Sequence, residues 1–127
     1  MIINTNELVG YALDWAVAQV TGHTVSITDS HRIVILDAHG HVGGMWHPST
    51  SWAQCGPMIS TLQIALTPEA HDGREGVEMS ERWWANVYYD GGNEYTVDHC
   101  DTALIAACRA IVGTKFGDSV DVPEVLV

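Results

Sequence analysis

Positive charge is what this chain has least of. Five Lys and Arg stand against 16 Asp and Glu, the formal net charge is −11, and the only lysine is Lys115. Binding a nucleic-acid backbone needs clustered Lys and Arg to displace counterions, so nucleic acid is not an expected partner. An anionic membrane surface is disfavoured for the same reason. The acidity favours solubility or steering toward a basic partner. Imitation of nucleic acid is the less economical explanation. Cysteine is sparse too: Cys55, Cys100 and Cys108 are odd in number and lack motif spacing, which suits a reducing cytoplasm without a disulfide framework. No basic segment leads into an apolar run at the N-terminus, so no signal peptide is expected, and no stretch reaches transmembrane length. Gly43-Gly44 and Gly91-Gly92 lack the further glycines and the lysine of a phosphate loop. Phenylalanine occurs once, yet tryptophan occurs five times. Indole carries an N–H that wants a partner, so such residues suit edges and clefts.

The 127 residues are expected to form one domain spanning 1–127, long enough to bury roughly two-thirds of the unfolded surface without metal or disulfide. Asn4 with Glu7 has capping-box spacing, or Thr5 is itself the N-cap, and from Leu8 to Val20 apolar residues cover most of a helix circumference. Gly22 ends that helix. Thr24–Thr28 alternates and Ile33–Leu36 is β-branched, so the two read as a hairpin. Ala38 to His47, rich in Gly and His, reads as loop. Cys55 to Gln63 reads as a short helix with Pro57 in its first turn, and Gln63 to Leu66 as a short strand. Thr67 to Arg82 is polar and reads as a mobile loop. Trp83–Tyr89 and Glu94–Val97 form a second hairpin across Asp90-Gly91-Gly92-Asn93. Asp101 or Thr102 caps a helix over Ala103–Phe116 that ends at Gly117, and 118–127 is an extended tail.

This order predicts an α+β fold: a small antiparallel sheet of two hairpins plus a short strand, with N- and C-terminal helices packed together against one face. The alanine face of the last helix should meet the alanine-rich first helix. Leu13, Trp15, Ala16, Ile35, Leu104, Ile111 and Val112 should share one core.

Between two prolines, Pro48-Ser49-Thr50-Ser51-Trp52-Ala53-Gln54-Cys55-Gly56-Pro57 packs hydroxyls, an amide, a thiol and an indole into ten residues. An aromatic anchor beside adaptable polar groups is the make-up of a recognition patch. A loop whose Trp52 plugs the core, with Ser49 or Thr50 capping a helix, is the bland alternative. This segment, together with 7–18 and the run from Asp101 through Ala110 to Pro123, resembles the small bacteriophage proteins of the NinX family. The blocks cover about half the chain, in fitting order and spacing. The family pattern carries an acidic residue where Ser51 stands and a glycine where Cys55 stands. The resemblance implies a phage or prophage accessory protein of the host bacterial cytoplasm, in a family without assigned catalytic residues.

Each chemical constellation has a plainer reading. His39, His41, His47 and Cys55 match no zinc spacing, so no metal or cofactor is expected. Cys55 at a helix start is a conceivable nucleophile, whereas Cys108 reads as core. Arg109 borders an apolar face and reads first as a structural partner for Asp14, second as an anion binder. No catalytic residue is assigned. The expected site is a cleft of Asp14, Ser49, Thr50, Trp52, Gln54, Thr102 and Arg109, with Trp52 half-exposed as its wall. Its expected role is non-catalytic binding of a host protein or a small anionic ligand. The alternatives are a protein that sequesters a nucleotide-like molecule by Trp52 stacking and Arg109 charge, and a small hydrolase or transferase using the Ser49–Cys55 loop.

Overall fold

The computed structural model describes residues 1–70 and 79–127. The fold is α+β, but its strands form three small antiparallel sheets rather than one. β1 (Ile2–Asn4) pairs with β8 (Ser119–Asp121), β2 (Val25–Ile27), β3 (Ile33–Leu36) and β4 (Val42–Met45) form a second sheet, and β5 (Ala65–Ala70), β6 (Met79–Tyr89) and β7 (Asn93–Cys100) a third. The two expected hairpins are present, each in its own sheet.

The last helix, α3 (Ala103–Phe116), organises the rest. The Thr102 hydroxyl accepts the Ile105 N–H at 3.1 Å, and Gly117 closes the helix at φ 69°. Every residue from Ala103 to Gly113 except Ile105 is buried. A helix buried all round needs neighbours on several sides. α3 packs on α1 (Gly10–Thr21), on the β5–β6–β7 sheet and on α2 (Trp52–Leu62), so the N- and C-terminal helices meet as expected. Of the expected core, Leu13, Ala16, Leu104, Ile111 and Val112 are buried, while Trp15 and Ile35 pack half-buried at its margin.

α1 starts later than its capping signals imply. Thr5–Glu7 make one 3-10 turn, the backbone at Leu8 and Val9 is extended, and neither Asn4 nor Val9 caps with its side chain. Tertiary bonds decide this. The Thr5 hydroxyl donates to the Gly117 carbonyl at 2.6 Å, and the Thr5 N–H to Asp118 O at 2.8 Å. Fully buried Thr5 thereby ties the start of the chain to the end of α3. The break also frees the Leu8 carbonyl, which accepts from Arg109 Nε at 2.9 Å. Gly22 ends α1 as expected, left-handed at φ 77°.

Two expected loops and the expected extended tail carry regular structure. Ala38 to His47 contains β4, paired with β3 and followed by a Trp46 N–H to Ile33 O bond of 2.9 Å. Gly43 and Gly44 hid this strand, which is exposed along its length. Of Thr67 to Arg82, Thr67–Ala70 belong to β5 and Met79–Arg82 to β6, while 71–78 lie outside the described residues. Pro68 sits in β5, an edge strand among the described residues, where proline is tolerated, and the pairing with β6 is irregular between Pro68 and Ala70. The 118–127 tail is docked: β8 pairs with β1, a 3-10 turn follows at Glu124–Leu126, and Val120, Val122 and Leu126 are buried.

Candidate functional site

Trp46 is the pivot of the candidate site. Its indole is 3% exposed and donates from Nε1 to the Asp14 carbonyl at 2.8 Å. On one side His23 covers the ring, with centroids 4.4 Å apart. The flanking backbone is held by Gln54. Its Oε1 accepts the His47 N–H at 2.7 Å and its Nε2 donates to the Met45 carbonyl at 2.7 Å. Both ends of one amide thus fasten the end of β4 to α2.

α2 begins at Trp52, earlier than the Cys55 start expected, because the Ser51 hydroxyl accepts the Gln54 N–H at 3.3 Å and caps it. Pro57 therefore falls inside the helix rather than in its first turn. It leaves the Ala53 carbonyl without its helical donor, and both residues are exposed, so water replaces the bond.

Asp14 anchors the loop from the α1 side. Its Oδ1 accepts the Ser49 N–H at 2.8 Å, and the side chain is buried. Burial pushes this carboxyl above its ordinary pKa, while the bonds from Ser49 and the nearby His47 pull the other way. The His47 ring and the Thr50 hydroxyl lie 3.2 Å apart.

Two cavities flank this strap, and Trp46 lines both. The larger, about 530 Å³, is a groove between α2 and the β2–β3–β4 sheet, walled by Ile35, Trp46, Pro57, Met58 and Leu62, with Thr21, His23, Gln54 and Thr61 as its polar groups. The Thr21 hydroxyl donates its single proton to the Val17 carbonyl at 2.9 Å. Its 2.6 Å contact with His23 Nδ1 is therefore one in which the imidazole donates. That assigns the neutral ring's proton to Nδ1 and leaves Nε2 as an acceptor. The smaller cavity, about 400 Å³, is lined by Asp14, Arg32, His47, Ser49 and Thr50 together with Gly10, Tyr11, Met45 and Trp46, so charged and hydroxyl groups share a mostly apolar surface.

The expected seven-residue cleft is thus divided. Asp14, Ser49 and Thr50 share the smaller cavity, and Gln54 lines the groove. Trp52 is 58% exposed on the first turn of α2 and lines neither cavity. Thr102 caps α3 and lines neither. Arg109 does not pair with Asp14. It is buried, bonded from Nε to Leu8 O and from Nη1 to Cys100 Sγ at 3.5 Å. The break before α1 supplies Arg109 with a carbonyl that an unbroken helix would have used.

Cys55 is fully buried on α2, with its sulfur 3.8 Å from that of Cys108 on α3. The contact with Cys55, and then burial, push the Cys108 thiol well above its ordinary pKa. Among the described residues no three His, Cys, Asp or Glu side chains are grouped to hold a metal ion, and no helix is long and apolar enough to cross a membrane. His39 and His41 lie on the turn before β4, with Asp37 Oδ1 accepting their backbone N–H groups at 2.8 and 2.9 Å.

His23, Trp46, Met58 and Thr61 escaped the sequence reading. An indole after a Gly-Gly pair was the available signal for Trp46, since such an N–H seeks a buried acceptor. Nothing local marks His23 or Thr61, which meet only through the packing of α2 against the sheet.

No curated protein matches the chain. Among solved structures, a phage protein from Bacillus cereus ATCC 14579, known from its crystal structure, is similar with a TM-score of 0.56 at 16% identity, over 84% of this chain and 92% of that one. At that identity the likeness shows the shared fold alone. The family model described as "Bacteriophage P22, NinX" matches residues 4–115, and the chain belongs to that family.

Proposed function

We propose that this NinX-family chain is a phage accessory protein of the host cytoplasm, and that it works by non-catalytic binding of a small ligand in the groove between α2 and the β2–β3–β4 sheet. The observation that carries this reading is the groove itself. Its volume of about 530 Å³ falls in the range of small-molecule sites, and its walls are mostly apolar with few convergent polar groups. The ligand that fits is flat and largely apolar, resting against Trp46, Met58 and Leu62. It carries a hydrogen-bond donor for the acceptor nitrogen of His23.

What supports binding over turnover is the state of the loop's nucleophiles. Ser51 caps α2, Cys55 is enclosed against Cys108, and Ser49 is 4% exposed. The nucleotide-like alternative loses its charge partner, because Arg109 is spent on Leu8 and Cys100. A host protein as partner is favoured by Trp52, exposed at 58% on the first turn of the groove-forming helix.

The test is a thermal-shift screen with uncharged aromatic and heteroaromatic compounds, repeated on Thr61→Phe, which fills the groove from an exposed helix position. Compounds that raise the Tm of the parent and not of Thr61→Phe support the proposal. Equal shifts in both proteins, or none at all, contradict it.

A further inference from the structure

We propose that the cavity lined by Asp14 and Arg32 is a second, separate binding site, and that it takes a small zwitterion with its ammonium group against Asp14 and its carboxylate toward Arg32. The cavity holds about 400 Å³. Asp14, Arg32 and His47 line it together with the aromatic side chains of Tyr11 and Trp46. Asp14 accepts the Ser49 N–H at Oδ1 and is also held by the Ser49 hydroxyl. An ionised carboxylate has about four lone-pair positions, so it keeps acceptor capacity beyond these two bonds. Burial disfavours its charge, and a cation from the ligand relieves that penalty.

Arg32 supplies the opposite sign. Its side chain is exposed, and among the described residues it forms no ion pair with any Asp or Glu. Arg32 is one of five basic residues in a chain of net charge −11, and it brings its positive charge to the same cavity that Asp14 lines. Two opposite charges on one cavity select against simpler ligands. A plain cation gains at Asp14 and loses at Arg32, and a plain anion does the reverse. Only a molecule carrying both gains at each end. Tyr11 and Trp46 add a surface that attracts an organic ammonium. The proposal does not depend on the groove being occupied.

The experiment uses the full chain and a series of free ω-amino acids from glycine to 6-aminohexanoate, followed by amide NMR. Saturable shifts are expected at Gly10, Tyr11, Ser49 and Thr50 for at least one chain length. N-acetylation of that compound, or amidation of its carboxylate, should weaken binding at least about tenfold, and so should Arg32→Ala, an exposed change that leaves folding intact. Asp14→Asn, which keeps an acceptor for Ser49, should weaken the free amino acid and leave the N-acetylated compound unchanged. The proposal is overturned if no member of the series gives saturable shifts up to tens of millimolar. It is equally overturned if the acetylated or amidated compound, or the Arg32→Ala protein, binds within tenfold of the original pair. Shifts confined to Thr21, His23 and Leu62 would also overturn it, by placing the ligand in the α2 groove and sparing the groove proposal.

Discussion

Replacing Gln54 with leucine removes the strap that separates the two cavities while keeping the side chain's approximate volume. Two backbone groups lose their partners, the His47 N–H and the Met45 carbonyl, each now bonded at 2.7 Å. They do not weigh equally. Met45 is exposed, so water replaces Gln54 at its carbonyl at little cost. The His47 N–H is part-buried, and an enclosed donor without an acceptor costs ~1–3 kcal/mol. Partial water access puts the expected loss near the lower end, about 1–2 kcal/mol. For a domain of this length that corresponds to a fall in Tm of roughly 3–8 °C. Urea unfolding followed by tryptophan fluorescence reads the loss directly, with an unchanged m-value as the sign that only stability moved. Gln54→Glu separates the two bonds, since the carboxylate still accepts from His47 but faces the Met45 carbonyl with no donor. It should fall between the parent and Gln54→Leu at neutral pH and approach the parent as the carboxyl protonates. A Gln54→Leu protein within about 0.5 kcal/mol of the parent would refute the strap, because that is the scatter expected of an indifferent surface change.

Two further substitutions test the frame around the site. Gly113→Ala improves helix propensity by about 1 kcal/mol, yet its Cβ would lie 2.1 Å from the Tyr95 ring, whose hydroxyl bonds to Gly117 O at 3.2 Å and Asp118 Oδ1 at 3.1 Å. Overpacking of ~1–3 kcal/mol should win and leave the protein less stable, with Tyr95→Ala rescuing part of the loss in the double mutant; a stabilised Gly113→Ala would show that the ring yields freely. Asp14→Asn tests the buried carboxyl through pH. The folded-state pKa lies above the ordinary value of 3.8, so the folded protein holds this proton more tightly than the unfolded chain. The contribution to stability is therefore full below that value, is lost as pH rises through the folded pKa, and stays lost above it. Urea midpoints of parent and Asp14→Asn should thus diverge from about pH 4 toward pH 7, the parent falling relative to the variant. A parent that gains on the variant over that range would mean the Ser49 bonds outweigh burial.

Local signals determined α3 completely: the Thr102 cap, the alanine-rich interior and Gly117 each act within a turn of their own position, and the Ala103–Phe116 bounds follow. Ile33–Leu36 was legible for a similar reason, since a β-branched run states its preference without help. β4 was not legible, because Gly43 and Gly44 carry no pattern and the strand exists through its pairing with β3. The start of α1 was misread because a capping box is a local preference, and buried Thr5 makes stronger bonds to residues more than a hundred positions away. The candidate site shows the same division. Asp14, Ser49 and Thr50 converge, as their polarity in otherwise apolar blocks suggested. Arg109 carried the same signal and turned inward, since one scarce cation fits a structural role as readily as a binding one. The groove was invisible because its walls come from α1's end, β3, Trp46 and α2, none of which declares the others in sequence.

The central claim is that the groove beside Trp46 holds a small ligand. Its most direct test is chemical-shift mapping of the full chain with the strongest compound from the thermal screen, watching backbone amides and the Trp46 indole N–H. The largest changes should cluster at Thr21, His23, Trp46, Thr61 and Leu62, with slow or saturable behaviour and no comparable change at Asn4, Asn6 or Asp118, which line a separate small cavity with Tyr95. Changes scattered over the surface, or centred anywhere that leaves Trp46 and Leu62 still, would contradict it.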